Sequence, residues 1–79
     1  MEKSKFEALL ALIVPKVVML IVQNHNTEEM TAVKRFYESK VYSSLEKEDT
    51  KLWHLSEYAI FQMYDDETKS GSFEVPEEA

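Results

Sequence analysis

The sequence predicts an all-α protein, a small bundle of three to five helices in one domain covering residues 1–79. Three observations lead to this prediction. Seventy-nine residues suffice for a single domain. After residue 26 the apolar residues recur at three- and four-residue steps, which is the period of a helix. A strand in the β-branched run VPKVVMLIV is rejected, because the chain offers no second strand of matching length.

The first helix is predicted from the most apolar segment, residues 8–22 (ALLALIVPKVVMLIV). Ser4 and Glu7 have the spacing of a capping box, which predicts that the helix starts just after Ser4. Apolar residues then fill nearly every position, so we expect this helix to be buried on all sides. Pro15 lacks a backbone N–H, and we therefore expect either a kink at Pro15 or a break near Ile13.

Two shorter helical segments are predicted next. Asn26 together with Glu29, or Thr27 alone, is expected to cap the second helix. In TEEMTAVKRFYESK the apolar residues form one stripe, which predicts a helix with a single buried side. Residues 41–45 are expected to add a turn or two after a bend at Ser39. The charged run EKEDTK that follows predicts a surface turn.

The last helix is predicted from EYAIFQMYDDETK, with Ser56 as its N-cap and Gly71 as the left-handed residue beyond its end. Trp53 lies just before the cap, and we expect it to be mostly buried between this helix and a neighbour. The acidic residues 65–67 are expected to face solvent.

An extended acidic tail is predicted for residues 72–79. Phe73 and Val75 alternate with polar residues, which is the period of an extended chain. Because the tail carries two apolar side chains, we expect it to lie in a groove of its own chain or of a partner.

The negative charge is concentrated near the C-terminus. The chain carries a net charge of −6, while residues 1–26 hold three Lys and two Glu and residues 52–79 hold one Lys and seven acidic residues. Binding to phosphate backbones depends on Lys and Arg that displace counterions. The charge distribution therefore argues against nucleic-acid binding and against an anionic membrane surface.

Neither a membrane span nor a signal peptide is expected. The apolar run 8–22 is shorter than the roughly 20 residues that cross a bilayer, and Pro15 and Lys16 interrupt it. Its two preceding lysines are offset by two glutamates, and no small-residue cleavage site follows. The chain has no cysteine, as suits a reducing compartment, so we expect a cytoplasmic protein.

His54 and Ser56 are the residues that most suggest catalysis, as a base and a nucleophile. A triad also needs a third residue and oxyanion donors, and the single glycine cannot supply a strained nucleophile turn. We interpret Ser56 as a helix cap and His54 as a partly exposed boundary residue. His25 is expected in a polar loop, and no ligand spacing predicts a metal or another cofactor. The protein is therefore expected not to be an enzyme.

The run RFYESKVYSSLEKEDTKLWHLS, the helix after it and the closing GSFEVPEEA cover about the last two-thirds of the chain, and together they resemble a group of small uncharacterised bacterial helical proteins. Their pattern is Phe-Tyr-x-Ser, Leu, Leu-Trp-His-x-Ser and a final Pro-Glu-Glu, which corresponds here to Phe36, Tyr37, Ser39, Leu45, Leu52, Trp53, His54, Ser56, Pro76, Glu77 and Glu78. Such proteins are sometimes encoded near toxin-like genes. The resemblance implies a regulatory or antitoxin-like role and a protein partner encoded nearby, and it assigns no activity to any residue.

These observations predict a non-enzymatic protein–protein interaction module that forms a homodimer. A chain this short buries only about 60% of its unfolded surface, so a second chain would add to the core. The predicted interface consists of apolar residues of the first helix and of the tail: Leu10, Val14, Val17, Val18, Ile21, Phe73 and Val75.

A small nucleic-acid-binding transcriptional regulator is the alternative prediction. The first two helices, joined through residues 24–27, have the order of a helix-turn-helix. Lys34 and Arg35 are, however, the only adjacent basic residues on the second helix.

Overall fold

The computed structural model describes residues 2–73, and in that range it contains helices and no strand. The prediction of an all-α bundle is confirmed. The elements are α1 (Lys3–His25), α2 (Glu29–Tyr37), α3 (Lys40–Leu45), two single 3-10 turns (Glu48–Thr50 and Leu52–His54) and α4 (Glu57–Ser70). α1 lies at the centre, where it packs mainly against α4 and α2, and α3 packs against α4 and α2.

Pro15 lies inside one continuous helix, so the predicted break near Ile13 is wrong. Pro15 and Ala11 are both exposed. The carbonyl that Pro15 leaves without a helical partner is therefore on the solvent side, where water can replace the missing N–H. The kink at Pro15 stays a prediction.

The capping prediction for α1 is also wrong. The helix begins at Lys3 with Glu2 as its N-cap, and the Glu2 side chain makes no capping hydrogen bond. Ser4 lies within the first turn. The capping-box spacing of Ser4 and Glu7 thus occurs inside the helix, with Ser4 two residues after the N-cap position at which it would act.

The α1–α2 connection is formed by a left-handed residue. Asn26 has φ 52° and ψ 49° and ends α1, as Asn tolerates this conformation better than most side chains. The N-cap of α2 is Glu28, which makes no side-chain capping bond. The prediction that Asn26 or Thr27 caps α2 is therefore wrong, because Asn26 terminates the helix before it.

The bend at Ser39 is confirmed. Ser39 is buried, its Oγ donates to the Phe36 carbonyl at 2.5 Å, and the same Oγ accepts from the Tyr42 N–H at 3.1 Å. One hydroxyl thus satisfies the end of α2 and the start of α3, which fixes the angle between them.

The side chain of Glu67, which belongs to α4, caps the N-terminus of α3. Its Oε2 accepts from the Lys40 N–H at 2.9 Å, and its Oε1 accepts from the Val41 N–H at 3.0 Å. In the other direction, the Lys40 Nζ donates to the Gly71 carbonyl at 3.2 Å. A carboxylate at a helix N-terminus and an ammonium near a helix C-terminus are both favoured by the helix dipoles. The expectation that residues 65–67 all face solvent is therefore wrong.

The predicted ends of α4 are confirmed. The Ser56 Oγ accepts from the Ala59 N–H at 3.1 Å. Gly71 has φ 82°, and its N–H donates to the Glu67 carbonyl at 2.8 Å. Phe73, beyond this end, packs against the core as expected, whereas Val75 lies outside the described residues.

The core contains residues from every α-helix. Its largest fully buried side chains are Phe36, Ile21, Leu45, Leu52, Ile60, Met63, Val17 and Val41. Trp53 has most of its surface covered and packs against the core, as predicted. Its Nε1 donates to the Glu48 carbonyl at 2.8 Å, and its ring meets Phe6 edge-on at 6.5 Å. Trp53 thus joins the 3-10 turns to the start of α1.

Glu67→Ala should lower the free energy of unfolding by about 1–2 kcal/mol, because the first turn of α3 loses both of its carboxylate acceptors. Its neighbour Asp66 is exposed, so the matched Asp66→Ala variant should stay within about 0.5 kcal/mol of wild type. Urea denaturation followed by circular dichroism measures both. Equal losses in the two variants would contradict the capping role.

Trp53→Ala should lower the free energy of unfolding by about 3 kcal/mol. This is the lower end of the range for removing a large packed ring, because Trp53 keeps part of its surface in solvent. Tyr58→Ala, which removes an exposed aromatic side chain of α4, is the control and should cost well under about 1 kcal/mol. Chemical denaturation measures the free energy of unfolding of both variants. A loss at Trp53 as small as the loss at Tyr58 would show that the indole has no structural role.

Candidate interaction surface

The predicted interface residues of α1 lie mostly in the core of the single chain. Val14, Val17, Val18 and Ile21 are all buried, and Val17 is 0% exposed. Because α2 and α4 cover this side of α1, these side chains are enclosed within the single chain, although Val14 and Val18 also line a depression beside α1. Their assignment to an interface stays a prediction. Leu10 is half-buried.

Only one side of α1 is buried, which corrects the expectation of burial all round. The buried residues of the helix are Phe6, Ile13, Val14, Val17, Val18 and Ile21. The opposite side exposes Ala8, Ala11, Leu12, Pro15 and Met19, with Leu12 65% and Met19 48% exposed. Within residues 8–22 the only charged side chain is Lys16. The free side of α1 is therefore apolar.

The exposed residues have the spacing of a coiled-coil seam. Ala8, Leu12, Pro15, Met19 and the half-buried Val22 follow one another at steps of four, three, four and three residues. This 3.5-residue average is the repeat with which two helices pack along each other. We call these five residues the α1 seam. Sequence periodicity alone could not reveal it, because the buried side of α1 is equally apolar.

An apolar groove runs beside the seam, between α1 and the α2–α3 pair. Three depressions form it, and neighbouring depressions share lining residues: Leu10 and Tyr42 at one junction, Val14, Pro15 and Tyr37 at the other. We call this continuous depression the α1 groove. On α1 it extends from Lys3 to Met19, and Tyr37 and Tyr42 form the facing wall with ring centroids 4.6 Å apart.

The rim of the α1 groove is acidic. Four of its lining residues are carboxylates, Glu7, Glu29, Glu46 and Glu48, and one is a base, Lys3. Glu7, Glu46 and Glu48 line the end of the groove that also holds Lys3, and Glu29 lines the opposite end. The groove therefore combines an apolar floor with a negative edge.

A polar cluster joins the end of α1 to α4. His25, the last residue of α1, is half-buried, and its Nε2 lies 2.8 Å from the Asp65 Oδ1. The Lys69 Nζ lies 2.8 Å from the Asp65 Oδ2. The His25 ring also contacts the Phe61 and Tyr64 rings, each with centroids 5.8 Å away. The expected polar loop at His25 is therefore wrong.

The Asp65 carboxylate is stabilised in its charged form. The hydrogen bond from Lys69 lowers the pKa of Asp65 most, and the hydrogen bond with His25 lowers it further, against the opposing effect of partial burial. Burial raises the pKa of the Tyr64 hydroxyl, beside the same histidine. Since His25 ends α1 while Asp65, Phe61 and Tyr64 belong to α4, the cluster serves to hold α1 and α4 together.

The two residues that most suggested catalysis have local structural contacts. His54 is exposed, and its Nδ1 makes a short hydrogen bond with the Lys51 carbonyl. The Ser56 Oγ accepts the Ala59 N–H as an N-cap. Among residues 2–73, no group of three or more His, Asp or Glu side chains is placed to hold a metal ion.

α1 is long and apolar enough to cross a bilayer by length and composition, contrary to the expectation from residues 8–22. The central helix of a soluble bundle and a signal sequence meet the same criterion. α1 packs here against α2 and α4, which have 9 and 14 residues and carry several charges. Helices of that length cannot span a hydrocarbon core of about 30 Å, so α1 is the helix among the described residues that meets the criterion.

In comparisons with known proteins, no family model, no curated sequence and no solved structure matches the chain. The candidate surface is therefore defined by its own residues, the α1 seam and the adjoining α1 groove.

Asp65→Asn should destabilise the protein by about 1 kcal/mol near neutral pH, because the substitution removes a charged hydrogen-bond acceptor. The pKa of Asp65 is lowered in the folded protein from 3.8, so this contribution is present above the unfolded pKa and is lost as the pH falls through the lower, folded pKa. The difference between wild type and Asp65→Asn should therefore be constant well above pH 3.8 and shrink as the pH falls below that unfolded pKa.

Urea denaturation at several pH values measures this difference, with Asp66→Asn as the exposed control on the same helix. A wild-type advantage over Asp65→Asn that stays constant with pH would contradict the cluster.

Proposed function

We propose that the chain is a non-enzymatic protein–protein interaction module that forms a homodimer through the α1 seam and has a regulatory role. The observation that carries the proposal is the exposed side of α1, where five residues with coiled-coil spacing follow one another and the most prominent, Leu12, is 65% exposed. Soluble monomers seldom leave a contiguous apolar surface of this kind uncovered.

A second copy of the same helix fits this surface. Two α1 helices have identical spacing, and a two-fold axis would place each seam against the other in a closed arrangement. Ala8 is small, which allows close approach, and Leu12 and Met19 supply side chains that can interdigitate. Lys16 lies beside the seam, where its stem can cover apolar surface while its charge stays in water.

The size of the chain supports the same proposal. A domain of 79 residues gains little stability from burial in its own core, and α1 packs against the rest of the chain with only one of its sides. Dimerisation would bury the other side and so extend the core across two chains. The chain has no disulfide that could stabilise a monomer, because it has no cysteine.

The regulatory, antitoxin-like part of the proposal rests on the resemblance of residues 36–56 and 76–78 to the bacterial group described above. We further propose that the protein is cytoplasmic, as the absence of cysteine favours, and that a protein partner is encoded nearby. Co-purification of that neighbouring gene product with the tagged chain is the direct test of this part, and the absence of any association would contradict it.

Leu12→Glu should convert a dimer into a monomer without unfolding it, because Leu12 is exposed within the single chain and a charge in the seam would be desolvated only in the dimer. Sedimentation of the wild type over a wide concentration range should show a mass that rises to twice that of the chain. Tyr58→Glu, an equally drastic change at an exposed α4 residue, should remain dimeric. A wild type that stays monomeric at every concentration would refute the proposal.

A further inference from the structure

Beyond self-association, we propose that the α1 groove binds a basic amphipathic helix of a partner protein. The proposal uses a different surface from the α1 seam, although Pro15 and Met19 border both. It holds whether or not the chain dimerises, since the groove is formed within one chain.

The shape of the groove suits a helix. Its α1 wall extends from Phe6 to Met19, which corresponds to about 20 Å at the rise of an α-helix. A partner helix of about 13 residues would have the same length. Proteins that bind amphipathic helices present a straight apolar groove into which residues from one side of the ligand helix insert.

Aromatic side chains form the facing wall of the groove. Tyr37 is 47% exposed, Tyr42 is half-buried, and their rings meet edge-on. Such partly exposed tyrosines offer a large apolar contact together with a hydroxyl, the combination enriched at the centres of protein interfaces. They lie opposite Leu10, so a ligand side chain entering there would be enclosed from both walls.

The negative charge of the groove determines which charged residues its ligand should carry. Three exposed carboxylates, Glu7, Glu29 and Glu46, line the groove against the one ammonium of Lys3, so a helix with Lys or Arg beside its apolar stripe would be favoured at both ends. The same charge disfavours the phosphates of nucleic acids.

Two other occupants from this chain itself fit less well. Residues 74–79 carry three glutamates and no basic residue, so they would be repelled by the rim. α1 of a second copy has Lys16 as its only basic residue between positions 8 and 22, which leaves most of the acidic rim uncompensated. The proposed ligand is therefore a helix from a different protein.

Two synthetic helical peptides of equal length test the proposal. Both have a leucine stripe, and one has lysine and the other glutamate on its flanks. Titration of the isotope-labelled full chain, followed by NMR, should show the lysine peptide binding at least about tenfold more tightly, with shifts centred on Leu10, Tyr37 and Tyr42. The same result is expected in Leu12→Glu, which separates groove binding from dimerisation.

Matched charge reversals distinguish the groove from the general negative charge of the protein. Glu7→Lys combined with Glu46→Lys should weaken binding of the lysine peptide at least about tenfold, whereas two reversals on α4, Glu57→Lys with Asp66→Lys, should change it less than about threefold. Circular dichroism checks that all variants fold. Equal weakening by both pairs, shifts centred away from the groove, preference for the glutamate peptide, or no binding up to about 1 mM would each overturn the proposal.

Discussion

The structure depends on the apolar character of α1, a helix with more apolar surface than the rest of the chain can cover. Burial of Val17 and Ile21 under α2 and α4 forms the core, and the remaining elements are arranged around that contact. With only 79 residues, the chain leaves the other side of α1 in solvent. The α1 seam and the α1 groove are both consequences of this limit, so the proposed functions follow from the constraint that shapes the fold.

Polar contacts from α4 fix how the shorter helices surround α1. Asp65 binds the end of α1 through His25, and Glu67, two residues later, binds the start of α3. Both carboxylates act at helix termini, where backbone groups lack partners and the helix dipole is strongest. The acidic end of α4, which looked like a solvated run in the sequence, thus determines the positions of two neighbouring helices.

Local signals in the sequence identified the helices well and the surfaces poorly. Ser56 and Gly71 act within a few residues of themselves, so their capping roles were predictable, and so was the bend at Ser39. The contacts of His25 and Glu67 join residues 40 and 26–27 positions apart, and no local pattern encodes them. The predicted interface residues of α1 are buried within the single chain, and because residues 8–22 are apolar in every direction, only the packed structure distinguishes the two sides of the helix.

The reaction rates of single introduced cysteines compare the solvent exposure of the two sides of α1 directly, since the native chain has no cysteine. In dilute solution Leu12→Cys should react with a thiol reagent at least about a hundredfold faster than Val17→Cys, because a buried thiol reacts only when the protein opens. At high concentration the Leu12→Cys rate should fall towards the Val17→Cys rate as the seam is covered. Equal rates at the two positions in dilute solution would contradict the one-sided burial of α1, and a Leu12→Cys rate independent of concentration would contradict the dimer.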